Sequence, residues 1–202
     1  MSLDKGILSV ILFFALFFCF SSCSPKVLHG LEKQSLKQSV VLAPLVDYGL
    51  NGQVNYRCKI DVLNNPISGL MIFKQMENGE RVVIITDFGL KVIDISYKND
   101  GTYVLNYIME HMDVDYIKGY FVYNMAMLVR KQISLSAKMF KNSEYVVYSD
   151  DSYLYFQKNN KTEKVERYRG SKLIATAEKK ANMNIYVEQK RMGIFMKLTL
   201  VN

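Results

Sequence analysis

The chain has 202 residues, half of them hydrophobic, and a formal charge of +7. That is enough for one domain with a sizeable core, and too apolar, too free of repeats and low-complexity tracts, for a disordered protein. Its 26 basic residues are spread singly, with mild concentrations at 158–172 and 179–191 and no nucleic-acid-binding module; this excludes a nucleic-acid partner and leaves a solubilising surface or one facing anionic lipid.

In chain order, the first element is the apolar run 6–20, "GILSVILFFALFFCF", preceded by Lys5 as its only basic side chain. As a helix it would reach roughly 22 Å, short of the ~30 Å hydrocarbon core of a bilayer, and so it has the length of a signal-peptide core. Ser21 and Ser22 follow, and then Cys23, with the bulky Phe20 three places before that cysteine. This order fits a bacterial lipoprotein signal, in which cleavage leaves a lipidated cysteine as the first residue. The expectation is a signal peptide at 1–22 and lipidation at Cys23. An ordinary cleaved signal or an uncleaved anchor would give similar topology, and the anchor would leave Ser-Ser-Cys unexplained. Cys19 lies in an apolar run with no ligand partners, so it forms no metal or redox pair with Cys23. Once Cys23 is lipidated, Cys58 is the single free thiol and no internal disulfide can form.

Residues 23–44 read as a lipid-anchored tether with a short helix at 31–42 that stops before Pro44. The domain proper spans 45–202. From 53 to 62, "QVNYRCKIDV" alternates without a slip, placing Val54, Tyr56, Cys58, Ile60 and Val62 on one face of a half-buried strand. A turn at 64–66 leads to "GLMIFKQM", and Asn78-Gly79 signals a hairpin into "RVVIITD". Phe88-Gly89 connects to "LKVIDISY", and Asn99-Asp100-Gly101 to "TYVLNYI". Asp113 then stands as the cap of an amphipathic helix at 114–131, with Val114, Ile117, Phe121, Met125 and Leu128 at helical spacing. Strands resume as "EYVVYS", "SYLYFQK", "KVERYR", "KLIATAE", "NIYVEQ" and "IFMKLTLV", separated by turns at 150–151, 159–160, 170 and 192–193. The fold class is mainly β with some helix. So long an antiparallel meander must curl or close, and two helices cannot cover two faces. The expected architecture is a curved, incompletely closed antiparallel β-barrel of about ten or eleven strands, with one or two helices in its opening.

Chemistry-bearing patterns are scarce. His29 lies in the tether. His111 stands with Asp113 and Asp115 at a helix start, where the carboxylates complement the helix dipole. The pair Asp150-Asp151 is accounted for by a hairpin turn. No phosphate loop, nucleophile elbow or metalloprotease motif occurs. The expectation is therefore a non-enzyme with no cofactor and no metal. Tyr (14) and Met (11) are abundant. They suit either a Met-rich core or the lining of a concave site for acyl chains.

The order of motifs resembles the Lol lipoprotein-localisation proteins, the carrier LolA and especially the receptor LolB. The likeness covers most of 45–202. It rests on "YGLNGQVNY" at the first alternating strand and on Ser68-Gly69-Leu70-Met71-Ile72-Phe73-Lys74-Gln75, with Phe73 where the family has Trp. "RVVIITDFGLKVIDIS" and the closing "MNIYVEQKRMGIFMKLTLVN" carry it further; Asp87 replaces the family's Pro, and the chain has no Trp. The resemblance implies a lipid-anchored monomer of the outer membrane, its domain facing the periplasm, that binds acyl chains or lipoproteins and helps insert them. Its acyl-chain cavity would be lined by Val54, Tyr56, Ile60, Met71, Phe73, Ile84, Ile117, Phe121 and Met125. Phe88, before Gly89, would be the membrane-contact residue of an exposed loop. The alternative is an accessory lipoprotein of the same fold that binds a protein or envelope polymer.

Overall fold

Period-two alternation governs this chain, and the computed structural model describes the result for residues 25–36, 38–62, 65–134, 136–180, 182–190 and 193–201. The signal peptide expected at 1–22 and the lipidation expected at Cys23 lie outside the described residues, as do two turn residues, Asn64 and Met192. The strands are β1 (Glu32–Ser35), β2 (Val40–Val41), β3 (Gln53–Val62), β4 (Asn65–Met76), β5 (Gly79–Thr86), β6 (Lys91–Lys98) and β7 (Tyr103–Ile108). The helix α1 (Asp115–Val129) follows, then β8 (Gln132–Ile133), β9 (Lys138–Lys141), β10 (Val146–Asp150) and β11 (Tyr153–Lys158). The chain ends with β12 (Lys161–Arg169), β13 (Lys172–Lys179), β14 (Ile185–Gln189) and β15 (Ile194–Leu200).

Thirteen strands form one antiparallel sheet in the order β1-β9-β10-β11-β12-β13-β14-β15-β3-β4-β5-β6-β7, while β2 and β8 pair separately. Two meanders, β3–β7 and β9–β15, account for almost every adjacency, as the hairpin signals predict. They are joined at the β15–β3 seam, where Cys58 pairs with Leu198. The sheet is open, with β1 and β7 at its edges. It is also curled. α1 touches β7, β12 and β13. β7 and β12 are eight places apart in the sheet. In a flat sheet that is ~38 Å at ~4.8 Å per strand, several times the width of a helix. The expected open, curved antiparallel sheet is therefore borne out.

The inward phase of the strands and α1 share one core. Tyr56, Met71, Phe73, Ile84, Ile93, Val165, Ile185 and Met196 all belong to it, together with Phe121 and Met125. α1 is buried more widely than a single apolar stripe requires. Besides Ile117, Phe121, Met125 and Leu128, it buries Tyr120, Val122, Asn124, Met127 and Val129. A helix apolar on most of its circumference belongs inside a structure, and here the sheet wraps it. The Tyr97 hydroxyl donates to the Val122 carbonyl at 2.6 Å, tying β6 to the helix.

Several local expectations change. The residue preceding α1 is Val114, which makes no side-chain cap; Asp113 instead pairs with Lys118 at 2.9 Å. The helix ends at Val129 rather than 131, and the backbone N–H groups of Leu45 and Val46 donate to the Leu128 carbonyl, satisfying a C-terminal acceptor. No helix forms over the described part of 31–42: Glu32–Ser35 and Val40–Val41 are strands. The β-branched Val40-Val41 favours extension, and β9 offers a free sheet edge. The segment does not hang free. Leu28, in the turn Lys26–Leu28, packs with Val147, Leu154 and Phe156 in a second cluster on the outer face of the sheet. The strand total exceeds ten or eleven because β1, β2, β8 and β9 are short, and β1 and β9 largely polar and exposed, without alternation to reveal them.

Candidate functional site

The nine residues expected to line a cavity are brought together, but as packed core. Val54, Tyr56 and Ile60 from β3, Met71 and Phe73 from β4, Ile84 from β5, and Ile117, Phe121 and Met125 from α1 belong to one cluster, none more than 8% exposed. Tyr56 and Phe73 meet edge to face with ring centres 5.7 Å apart. None of the nine lines the groove described below.

Phe88 behaves otherwise. The turn linking β5 to β6 is closed by Gly89 N–H donating to the Thr86 carbonyl at 2.9 Å and by Leu90 N–H donating to Thr86 Oγ1 at 3.1 Å. Gly89 sits at φ +81°, in the left-handed region that favours glycine. The turn therefore holds Phe88 outward, 92% exposed, with Leu90 60% exposed beside it. Asp87 braces the loop through an ion pair with Arg57 at 2.9 Å. Below it the strands approach closely at Gly69, where an added Cβ would lie 1.9 Å from the Ile85 carbonyl oxygen.

The register puts this loop at the same end of the sheet as several other features. Gly69 pairs with Thr86, Asp61 with Phe195, Gln189 with Ile194, Arg169 with Lys172 and Asp150 with Tyr153. All of these pairs lie near one rim, and the N-terminal half of α1, with Tyr116 and Gly119, opens onto a groove there. The groove encloses about 940 Å³. One wall is the helix, through Tyr116, Tyr120 and Tyr123; the other is the sheet, through Tyr153, Arg167 and Gln189. These sheet residues share one rung, since Tyr153 pairs with Arg167, Arg167 with Ala175, and Ala175 with Gln189. Ala175, the smallest side chain on the rung, is fully buried between Arg167 and Gln189.

Arg167 is 8% exposed, and its Nε has no hydrogen-bond partner. Its guanidinium lies over the Tyr123 ring, 4.8 Å from the centre. Tyr153 is pushed above its ordinary pKa by burial, an effect that the positive charges of Arg167 and Arg130 oppose. Burial likewise raises Tyr120. The Tyr120 hydroxyl and the Asn124 carboxamide, one helical turn apart, face each other without closing a well-formed hydrogen bond. Gln189 Oε1 is also without a partner. Arg169 and Lys172 add positive charge at the rim and Asp151 one negative charge, so three cations and one carboxylate give the groove a formal charge of +2.

Sequence reasoning did not single out Arg167. The signal was present in the phase of β12, which places Arg167 with the buried Val165 on the inward face. Nor is Asp150 a turn residue. Asp151 makes the turn at φ +51°, whereas Asp150 is buried in β10 and accepts from Arg130 at 2.7 Å and from Ser134 Oγ at 2.6 Å. This brace fixes the segment after α1 to the sheet. His29 and His111 are exposed and do not line the groove. Among the described residues, no group of three His, Cys, Asp or Glu could hold a metal ion.

An open antiparallel sheet wrapped round one helix, with an exposed aromatic loop and a tyrosine-walled groove at one end, is the class of protein these features define. No family profile and no curated protein matches the sequence. Among solved structures, a DUF1329 family protein from Desulfovibrio piger is similar over 76% of this chain and 85% of that chain, at 8% identity and a TM-score of 0.38, a likeness too slight to assign function. Among the described residues, no helix is long and apolar enough to cross a membrane.

Proposed function

We propose that this chain is a LolB-like envelope protein, anchored to the outer membrane through lipidated Cys23 with its domain facing the periplasm, that binds acyl chains and helps lipoproteins insert. The observation that carries the reading is Phe88, held 92% exposed on a braced turn. An aromatic ring in water is disfavoured, and moving it into lipid returns about 2–3 kcal/mol. The groove at the same end of the sheet gives an acyl chain a place to lie, since the nine core positions are occupied by their own side chains. Transfer of this kind needs no covalent step; apolar area leaving water, at ~25 cal/mol per Å², drives it. The role is one of binding, not catalysis.

Phe88→Glu tests it. The expected result is at least a tenfold loss of binding to anionic phospholipid vesicles and mislocalised lipoproteins in cells, with unchanged thermal stability. Normal vesicle binding and normal localisation would refute it. The packed core favours one second reading, an accessory lipoprotein of the same fold that binds a protein or envelope polymer; lipoprotein localisation would then be independent of Phe88.

A further inference from the structure

Buried charges in this protein come with partners. Asp94 meets Arg81, Asp150 meets Arg130, Glu80 meets Lys131 and Glu166 meets Lys164. Arg167 is the exception among the described residues: 8% exposed, with an unpartnered Nε and, against its charge, the face of Tyr123 and the Tyr153 hydroxyl rather than a carboxylate. Taking a guanidinium out of water is costly unless an anion compensates it, and an aromatic face and a neutral hydroxyl compensate only in part. The carboxylate in the groove wall, Asp151, forms no ion pair with it.

The surroundings define what would complete the arrangement. Arg167 presents a planar fork suited to two-point contact with a carboxylate or phosphate. Gln189 on the same rung lines the groove and can turn its amide N–H groups into it, and the Tyr120 hydroxyl is an unused donor. Arg169 and Lys172 make the entrance attractive to anions. Along the opposite wall, Tyr116, Tyr120 and Gly119 of α1 offer an apolar and aromatic track. An inorganic anion alone would leave that track empty, and an apolar chain alone would leave Arg167 uncompensated.

We propose that the groove binds an amphiphile whose oxyanion head, a carboxylate or a phosphate, sits on Arg167 while its apolar body lies along the tyrosine wall of α1. This deepens the acyl-binding reading and rests on it for the apolar body. Isothermal titration of the purified full chain with palmitate, lysophosphatidate, methyl palmitate and inorganic phosphate tests it. Palmitate and lysophosphatidate are expected to bind one per chain, at least tenfold more tightly than either methyl palmitate or phosphate. Arg167→Gln should abolish that preference without lowering the melting temperature, because it removes an uncompensated charge. Arg167→Lys should retain part of the preference. The acid-versus-ester comparison on the unaltered protein needs no variant to fold.

Equal binding of palmitate and methyl palmitate would overturn the headgroup assignment and leave the acyl-chain reading standing. Phosphate binding as tightly as lysophosphatidate would overturn the apolar body, and the acyl-chain reading with it. Undiminished palmitate binding by Arg167→Gln would place the anion elsewhere and refute the role of Arg167.

Discussion

Asp94 offers a quantitative check on the forces that hold the β5–β7 part of the sheet. Its carboxylate accepts from Arg81 through Nε at 2.8 Å and Nη2 at 2.6 Å, from Asn106 at 3.1 Å and from Lys91 at 3.2 Å. The Arg81 hydrogen bonds are the main reason that its pKa falls from 3.8 to about 2, and burial works against them. A pKa lowered on folding stabilises the native state above the unfolded pKa, and that contribution is lost as pH falls through the folded value. The full shift would correspond to ~2.5 kcal/mol, but Arg81 is 43% exposed and water screens the pair, so about 1 kcal/mol is the expected contribution at neutral pH. Asp94→Asn keeps the shape and removes the charge. Urea unfolding should show the variant about 1 kcal/mol less stable at pH 7, with the gap closing as pH falls from 4 to 2. A gap of the same size at both ends of that range, or none at pH 7, would refute the assignment of stability to this cluster.

Gly69→Ala should cost about 3 kcal/mol, because the new methyl group meets the Ile85 carbonyl of the next strand, whereas Gly89→Ala, with open space around its Cβ, should cost only ~1 kcal/mol for its left-handed φ; thermal melts compare the two. Cys58, fully buried and with its thiol pushed up to about 11, should resist iodoacetamide at pH 8 until the protein is unfolded, as peptide mass mapping would show; labelling of the native protein at the rate of a free thiol would contradict that burial.

What the sequence reveals depends on how each residue is constrained. β3 is legible from one end to the other because every second residue from Val54 to Val62 is buried, and half-burial is what a period of two records. Asn78-Gly79 is legible because Gly79 takes a φ of +145° and lies against Tyr97 so closely that a side chain would not fit. β1 and β9 are illegible for the opposite reason: their place depends on a neighbouring edge, and Glu32, Lys33, Lys138 and Lys141 record no buried face. The site divides the same way. Phe88 is visible because a glycine marks its turn, whereas Asp150 and Arg167 resemble surface residues locally. Their burial is decided by Arg130 and Tyr123, partners supplied by the helix that the sheet curls around and by the residue that follows it.

The β15–β3 seam has a consequence in time. It pairs Leu198 with Cys58, so the first meander keeps an unpaired inner edge until the last strand of the chain arrives. In a chain delivered N-terminus first at roughly 10 residues per second, that strand lags the edge it must cover by about 14 s. Each meander can assemble from its own hairpins in far less time. In that interval the backbone groups of β3 are a template for any extended segment nearby. One half that is ready early and waits on the last strand of the other makes β15 the element whose truncation would most expose this protein to mispairing.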